Sequence, residues 1–228
     1  MTYVEKVNRC KNVLRDSYMK SNIITKVVET SDYNDSYENL EFINLGIHTY
    51  IPKEWFTRTD IYPDVFFMDI GKSIAIGEEK YLLKQILENR EVKRDDLHEV
   101  TYKEVITKLF EVGDVTNVVL FIPIDYFVKI HVDWARETGR PIISMNKLQV
   151  GERQVDIFWS SKYVEFNDFI IVRKSFGRWI AKPSVDSRLK IEIEESRERM
   201  EKMELKAQTT FYYYILEPEH ILILTPRR

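Results

Sequence analysis

KMELKAQTTFYYYILEPEHILIL, residues 202–224, carries the longest alternating pattern in the chain. Leu205, Ala207, Thr209, Phe211, Tyr213 and Ile215 fall on every second position, the period of a strand that presents one face to a core. Tyr212 and Tyr214 put aromatic rings on the opposite face as well. Aromatics on both faces speak for burial in a core or a subunit interface, and against a platform on which single-stranded nucleic acid would stack. Glu217-Pro218-Glu219 interrupts the strand, and HILILT supplies a final one. Immediately upstream, Leu189, Ile191 and Ile193 alternate with Lys190, Glu192 and Glu194, a second amphipathic strand. Between the two, ESRERMEKM reads as a solvated hairpin tip, because residues 187–206 hold six basic and six acidic side chains.

Working toward the N-terminus, NVVLFIP at 117–123 is an apolar run of strand length, and the helix after it has Tyr126, Phe127, Ile130 and Trp134 on one face and Gly139 to close it. Short strands are expected at 141–144, 154–159 and 168–172. Thr101 and Glu104 form a capping-box pattern for a helix at Tyr102–Val112, preceded by the charged linker VKRDDLHEV. The longest helix is expected to start near Asp69 and to carry the stripe Ile70, Ile74, Tyr81, Leu82, Gln85, Ile86 and Asn89. Gly71 and Gly77 each weaken a helix by roughly 1 kcal/mol relative to Ala, so close packing against another backbone is expected near Gly77.

The first 20 residues repeat Val4, Val7, Leu14 and Tyr18 at helical spacing, with Lys6, Arg9, Lys11, Arg15 and Lys20 on the other face. Residues 1–30 hold six basic and three acidic side chains, a local excess that suits either a solvated helix packed on the domain or a basic arm facing an interior, with nucleic acid or acidic cargo. As an arm, it is expected to be removable without loss of the fold. A short strand is expected at Ile23–Val28. Residues 31–60 reverse the balance to two basic and six acidic, and run through polar, turn-rich sequence into alternation around Phe42–Tyr50. So long an excursion is uncomfortable as a free loop in a compact domain. It is expected to be ordered by a neighbouring subunit, with Trp55, Phe56 and Tyr62 as anchors.

Composition narrows the function classes. The 228 residues carry a net charge of -3, without the basic footprint of a dedicated duplex-DNA binder. Seven glycines are about half the usual share, and the sequence contains no Walker loop, dinucleotide fingerprint, His-Glu-x-x-His or nucleophile elbow. One cysteine excludes an internal disulfide and a multi-cysteine zinc site. Cys10 has basic neighbours that lower a thiol pKa, but no histidine near it in sequence. No apolar run reaches the roughly 18–20 residues of a membrane span, and no signal-peptide pattern opens the chain, so synthesis in the cytoplasm and no membrane partner are expected. One catalytic pattern does occur: Pro63-Asp64 followed by Glu78-x-Lys80 has the spacing of metal-dependent nucleases, in which two carboxylates hold Mg²⁺ and the lysine positions a water. That chemistry wants the Glu-x-Lys pair on a strand, whereas here it falls in a helical pattern.

The order of these elements resembles the shell proteins of the tailed-phage major capsid (Hong Kong phage type) and encapsulin superfamily. The terminal stretch at 202–224 is similar to their last strand and its Pro-Glu segment, SIAIGEEKYLLKQIL to the entry of their spine helix, and VTNVVLFIPIDYFVKI to the strand and helix that open their axial domain. The resemblance implies an α+β tailed-phage capsid-like fold with N-terminal arm, extended loop, long spine helix, peripheral sheet and axial domain. By region it places the arm at 1–30, the extended loop at 31–68, the peripheral domain at 69–100 and 186–228, and the axial domain at 101–185. It implies no enzyme activity, no catalytic residues, no cofactor and no metal. The implied role is self-assembly, through pentamers and hexamers, into an icosahedral shell. That shell is either the major capsid of a tailed virus or provirus or an encapsulin-type nanocompartment, with nucleic acid or protein cargo inside. Its place would be a virion or a cytoplasmic shell particle. A Mg²⁺-dependent nuclease and a monomeric interaction module are the readings from other classes.

Overall fold

Thr2 starts the first helix, α1 (Tyr3–Ser21): its hydroxyl accepts from the Glu5 amide while the Glu5 carboxylate accepts from the Thr2 amide, a complete capping box. A computed structural model describes residues 1–31, 40–142, 144–159, 165–181 and 188–227, with the backbone alone at 25, 26, 30, 31, 179 and 181. After α1 come α2 (Ile24–Val27), β1 (Glu29–Ser31), β2 (Ile43–Pro52), α3 (Glu54–Thr57) and the long α4 (Asp64–Glu88). Then follow β3 (Lys93–Leu97), α5 (Tyr102–Val112), β4 (Val118–Ile122), α6 (Ile124–Thr138), β5 (Lys147–Val150) and β6 (Arg153–Trp159). The chain ends with β7 (Phe169–Arg173), β8 (Gly177–Ala181), β9 (Lys190–Glu195), β10 (Lys202–Ile215) and β11 (Ile221–Pro226). No helix among the described residues is long and apolar enough to cross a membrane.

The chain divides into two compact units. The first comprises Met1–Thr25, Thr30–Tyr81 and Trp179–Tyr213. Its organiser is β10, which runs between β9 and β2 so that Ala207 faces Ile191 on one side and Ile47 on the other. Met203, Leu205, Ala207, Thr209, Phe211 and Tyr213 are buried, while Tyr212 and Tyr214 are half-buried. One face of β10 therefore carries the core, and cover on the opposite face is partial. β2 is ordered by ten paired residues of its own chain, so the alternation around Phe42–Tyr50 needs no neighbouring subunit to form a strand. The polar start of the excursion, 32–39, lies outside the described residues.

The N-terminal helix is part of this core and not a removable arm. Cys10, Leu14 and Tyr18 pack with Phe67, Ile70 and Ile74 of α4 and with Leu205 and Ala207 of β10. Deleting residues 2–20 would strip that cluster. The helices meet backbone to backbone at Gly71: a Cβ there would overlap the Leu14 carbonyl oxygen and lie 2.8 Å from the Tyr18 nitrogen. The close approach expected near Gly77 is thus found six residues earlier, and Gly77 instead faces the Leu45 side chain at 3.3 Å. α4 also begins at Asp64, five residues before its expected start, because Phe66 and Phe67 continue its packed face. The segment at Ile23–Val28, expected as a strand, is the short helix α2.

The second unit comprises Lys26–Glu29, Leu82–Arg178 and Tyr214–Arg228. Its sheet has the order β3-β11-β7-β4-β6-β5, parallel at β3–β11 and β4–β6 and antiparallel elsewhere. β4 is buried at all five positions, which is why it reads as an unbroken apolar run. α5 and α6 contribute Val105, Ile106, Leu109, Phe127, Ile130 and Trp134 to the same core. Gly139 ends α6 in the left-handed conformation (φ 66°). At α5, Thr101 caps as expected, but the Glu104 carboxylate accepts from the His98 and Glu99 amides and not from the cap residue's own. VKRDDLHEV is not a linker: it contains β3, an edge strand whose charged side chains bond outward, Lys108 to Asp95 at 2.6 Å and Arg227 to Asp96 at 2.8 Å. Pro141, Ile142 and Ser144 are irregular, and the strand expected there lies at β5.

Gly71→Ala should lower stability by about 2 kcal/mol or more, although the same change in an uncrowded helix gains about 1 kcal/mol. Urea unfolding of the variant decides it, and a gain would mean that the helices do not meet at Gly71.

Candidate assembly surfaces

Glu78 lies in the middle of the apolar row Ile70, Ile74, Leu82 and Ile86 on α4 and is 0% exposed. The Tyr18 hydroxyl donates to its Oε1 at 2.7 Å and the Asn22 side-chain amide to its Oε2 at 2.5 Å, so the carboxylate ties the end of α1 to α4. The Tyr213 hydroxyl donates to the Glu78 carbonyl oxygen at 3.3 Å, adding β10 to the same node. Burial pushes the Glu78 carboxyl above its ordinary value, against the pull of these hydrogen bonds and of Thr209 and Arg188.

This placement removes the nuclease reading. Asp64 and Glu78 sit fourteen residues apart on one helix, about 21 Å along its axis at 1.5 Å per residue, so they cannot share a metal ion. Asp64 is paired with Arg9 at the first turn of α4, and Lys80 is exposed. Among the described residues no three His, Cys, Asp or Glu side chains gather as a metal site. Cys10 is equally removed from chemistry. Burial, with Asp64 adding to it, pushes its thiol up to about 11, outweighing the Lys6 and Arg9 charges that the sequence suggested would lower it.

The three aromatic anchors separate. Phe56 is 2% exposed, edge-on to Tyr3 and Phe67, so its surface is used inside its own unit. Trp55 packs half-buried against Phe66 with ring centroids 5.1 Å apart. Tyr62 is 58% exposed, with the Lys6 ammonium 5.6 Å and the Arg9 guanidinium 5.5 Å from its ring centre. Val65 and Met68, on the first turns of α4, are exposed as well.

The basic residues of α1 are also unequal. Lys6 is buried, its ammonium donating to the Arg58 carbonyl, and Arg9 is paired with Asp64. Lys11 and Arg15 are half-exposed, and Lys20 is exposed in the last turn, where a cation suits the helix dipole.

In the second unit, α6 turns Ile124, Val128 and Val132 to the surface, with Val128 60% exposed. They follow one another at four-residue spacing, an apolar row opposite the buried Phe127, Ile130 and Trp134. The sequence carried the signal: a helix apolar on two faces has one left over when its core is filled. Phe110 on α5 is exposed as well.

No protein-family model matches the chain, and no curated protein matches its sequence. Its fold, however, is that of known shells. A virus-like particle from Pyrococcus furiosus superposes with a TM-score of 0.65 over 98% of this chain and 100% of its own, at 14% identity. The chain has the tailed-phage capsid and encapsulin fold. The shell fold is matched again by the capsid of cyanophage P-SCSP1u, at TM-score 0.58 and 11% identity over 89% of this chain and 81% of that one. It is matched too by an encapsulin complex from Synechococcus elongatus, at 0.54 and 9% over 89% and 86%.

Because the folded state holds the Glu78 proton more tightly than the unfolded chain, this residue's contribution is full below the ordinary value of 4.5 and falls as pH rises through the raised one. Glu78→Gln, which cannot ionise, should flatten that part of the pH–stability curve. Glu78→Ala removes the acceptor of two buried donors and should cost about 2–4 kcal/mol. Denaturant titrations between pH 4 and pH 8, in about one-unit steps, measure both effects, and a Glu78→Ala variant as stable as the parent would contradict the node.

Proposed function

We propose that this chain is a structural protein that assembles with copies of itself into a closed icosahedral shell. The observation that carries the proposal is the match over essentially the whole of both chains with the Pyrococcus furiosus virus-like particle. The exposed apolar surfaces support it: Ile124, Val128 and Val132 on α6, and Tyr62, Val65 and Met68 at the start of α4, are side chains that a second copy would cover. Contacts repeated around five- and six-fold axes would close the shell without an edge. In this reading residues 1–30 line the interior and 31–68 reach toward a neighbour; the peripheral and axial domains, expected at 69–100 with 186–228 and at 101–185, follow the first and second units instead, since β3 and β11 share one sheet with β7 and β4. The 185–186 boundary falls outside the described residues. Self-assembly rather than catalysis is the role, with no cofactor.

Two forms of shell fit: the major capsid of a tailed virus or provirus, and an encapsulin-type nanocompartment. Lys11, Arg15 and Lys20 are the charges on α1 that would meet enclosed nucleic acid or acidic protein cargo. The particle would be a virion or lie free in the cytoplasm.

Negative-stain images of the purified protein should show hollow particles or capsomer rings, and nuclease-protected nucleic acid inside them would select the viral form over the nanocompartment. Val128→Asp and Tyr62→Ala should each reduce particle yield while leaving stability within about 0.5 kcal/mol, since both positions are on the surface. Particles from Val128→Asp at parental yield would remove α6 from the interface.

A further inference from the structure

The second unit contains a cavity of about 230 Å³ between α6 and the segment that leads into β5. Its floor is built from His131 and Trp134, which are 1% and 5% exposed and lie three residues apart on one face of α6. The His131 Nδ1 lies 2.9 Å from the Phe127 carbonyl oxygen and donates to it, which leaves Nε2 as an acceptor on the neutral ring. Among the described residues that Nε2 has no hydrogen-bond partner, and neither has the Trp134 indole N–H. Both atoms are closed to water in this conformation, and buried polar groups are normally paired. Their side chains line the cavity, so a group seated there after a small shift of the 140–142 segment would be the partner they lack.

Charge decides what that group is. The wall carries Arg140 and Lys147 and no acidic side chain. Lys147 keeps Asp156 at 3.9 Å, whereas Arg140 has no acidic partner within reach among the described residues. Ser144 adds a hydroxyl, and Trp134 and Ile142 supply an apolar surface beside these polar groups. A few convergent polar groups over an apolar floor make up the usual anatomy of a small-ligand site, and this volume suits a molecule smaller than a drug.

We propose that this cavity binds a small organic anion, a carboxylate or phosphate on a compact apolar body, with Arg140 and Lys147 holding the anionic group and Trp134 and Ile142 the body. Neither the chain's assembly nor its cargo enters the argument, so the site stands or falls apart from the shell proposal.

Benzoate and phenyl phosphate serve as probes of the two anionic groups, and benzamide as the neutral counterpart of benzoate. Isothermal titration calorimetry on the full-length protein should show at least one anion binding, and benzamide about tenfold weaker or worse, because charge-assisted contacts are lost. Arg140→Gln, at an exposed position that leaves the fold alone, should weaken the anion about tenfold, and Trp134→Phe should weaken it while keeping the ring. Preference for benzoate over phenyl phosphate, or the reverse, names the anionic group. The proposal is overturned by the absence of binding of either anion at about 10 mM, by benzamide binding as well as benzoate, or by an Arg140→Gln variant with parental affinity.

Discussion

A carboxylate placed where an aliphatic side chain would ordinarily go governs the first unit. Glu78 interrupts the row Ile70, Ile74, Leu82 and Ile86, and the two donors that reach it come from Tyr18 and Asn22 at the end of α1. Removing a carboxylate from water is costly unless its lone pairs are met, so the register of α1 on α4 is fixed by the need to meet them. Gly71 allows the same register sterically, since only a hydrogen in place of a side chain lets the α4 backbone lie against Leu14 and Tyr18. Tyr213 completes the arrangement from β10, the strand that β2 and β9 both use as their template. The polar node and the apolar packing thus specify one another: the node sets the register in which the leucines and isoleucines meet.

Much of this was legible from the chain itself. The alternation in β10 and β9, the apolar run of β4 and the stripe of α6 are periodic signals, the Thr101 cap marks the start of α5, and each matches its element closely. The failures share a physical cause. β3 reads as a linker because an edge strand is half-solvated, and its Lys93, Asp95 and Asp96 are paired outward with Glu111, Lys108 and Arg227. Of the two readings of α1, the helix packed on the domain holds, but its basic face carries less free charge than the sequence suggests, because Lys6 is buried against a carbonyl and Arg9 is neutralised by Asp64. Phe56 read as an anchor for another subunit because local pattern cannot tell which of several clustered aromatics finds partners in its own core.

The node, the outer row of α6 and the cavity follow a different logic. Glu78 could have been recognised from its four-residue spacing to Ile74 and Leu82, and the outer row of α6 from that of Ile124, Val128 and Val132. The cavity beneath Arg140 could not, because His131 and Trp134 look like ordinary core residues until their unpartnered ring nitrogens are located in three dimensions. The apolar row of α6, on the side away from its filled core, is the surface that the proposed assembly would cover, with a second copy of the chain as the cover.

Sedimentation velocity of the purified protein at neutral pH separates a shell from a free chain. Self-assembly should give a fast boundary of megadalton mass built from 27.3 kDa chains. A single slow boundary at the mass of one or two chains, unchanged as concentration is raised, would contradict it.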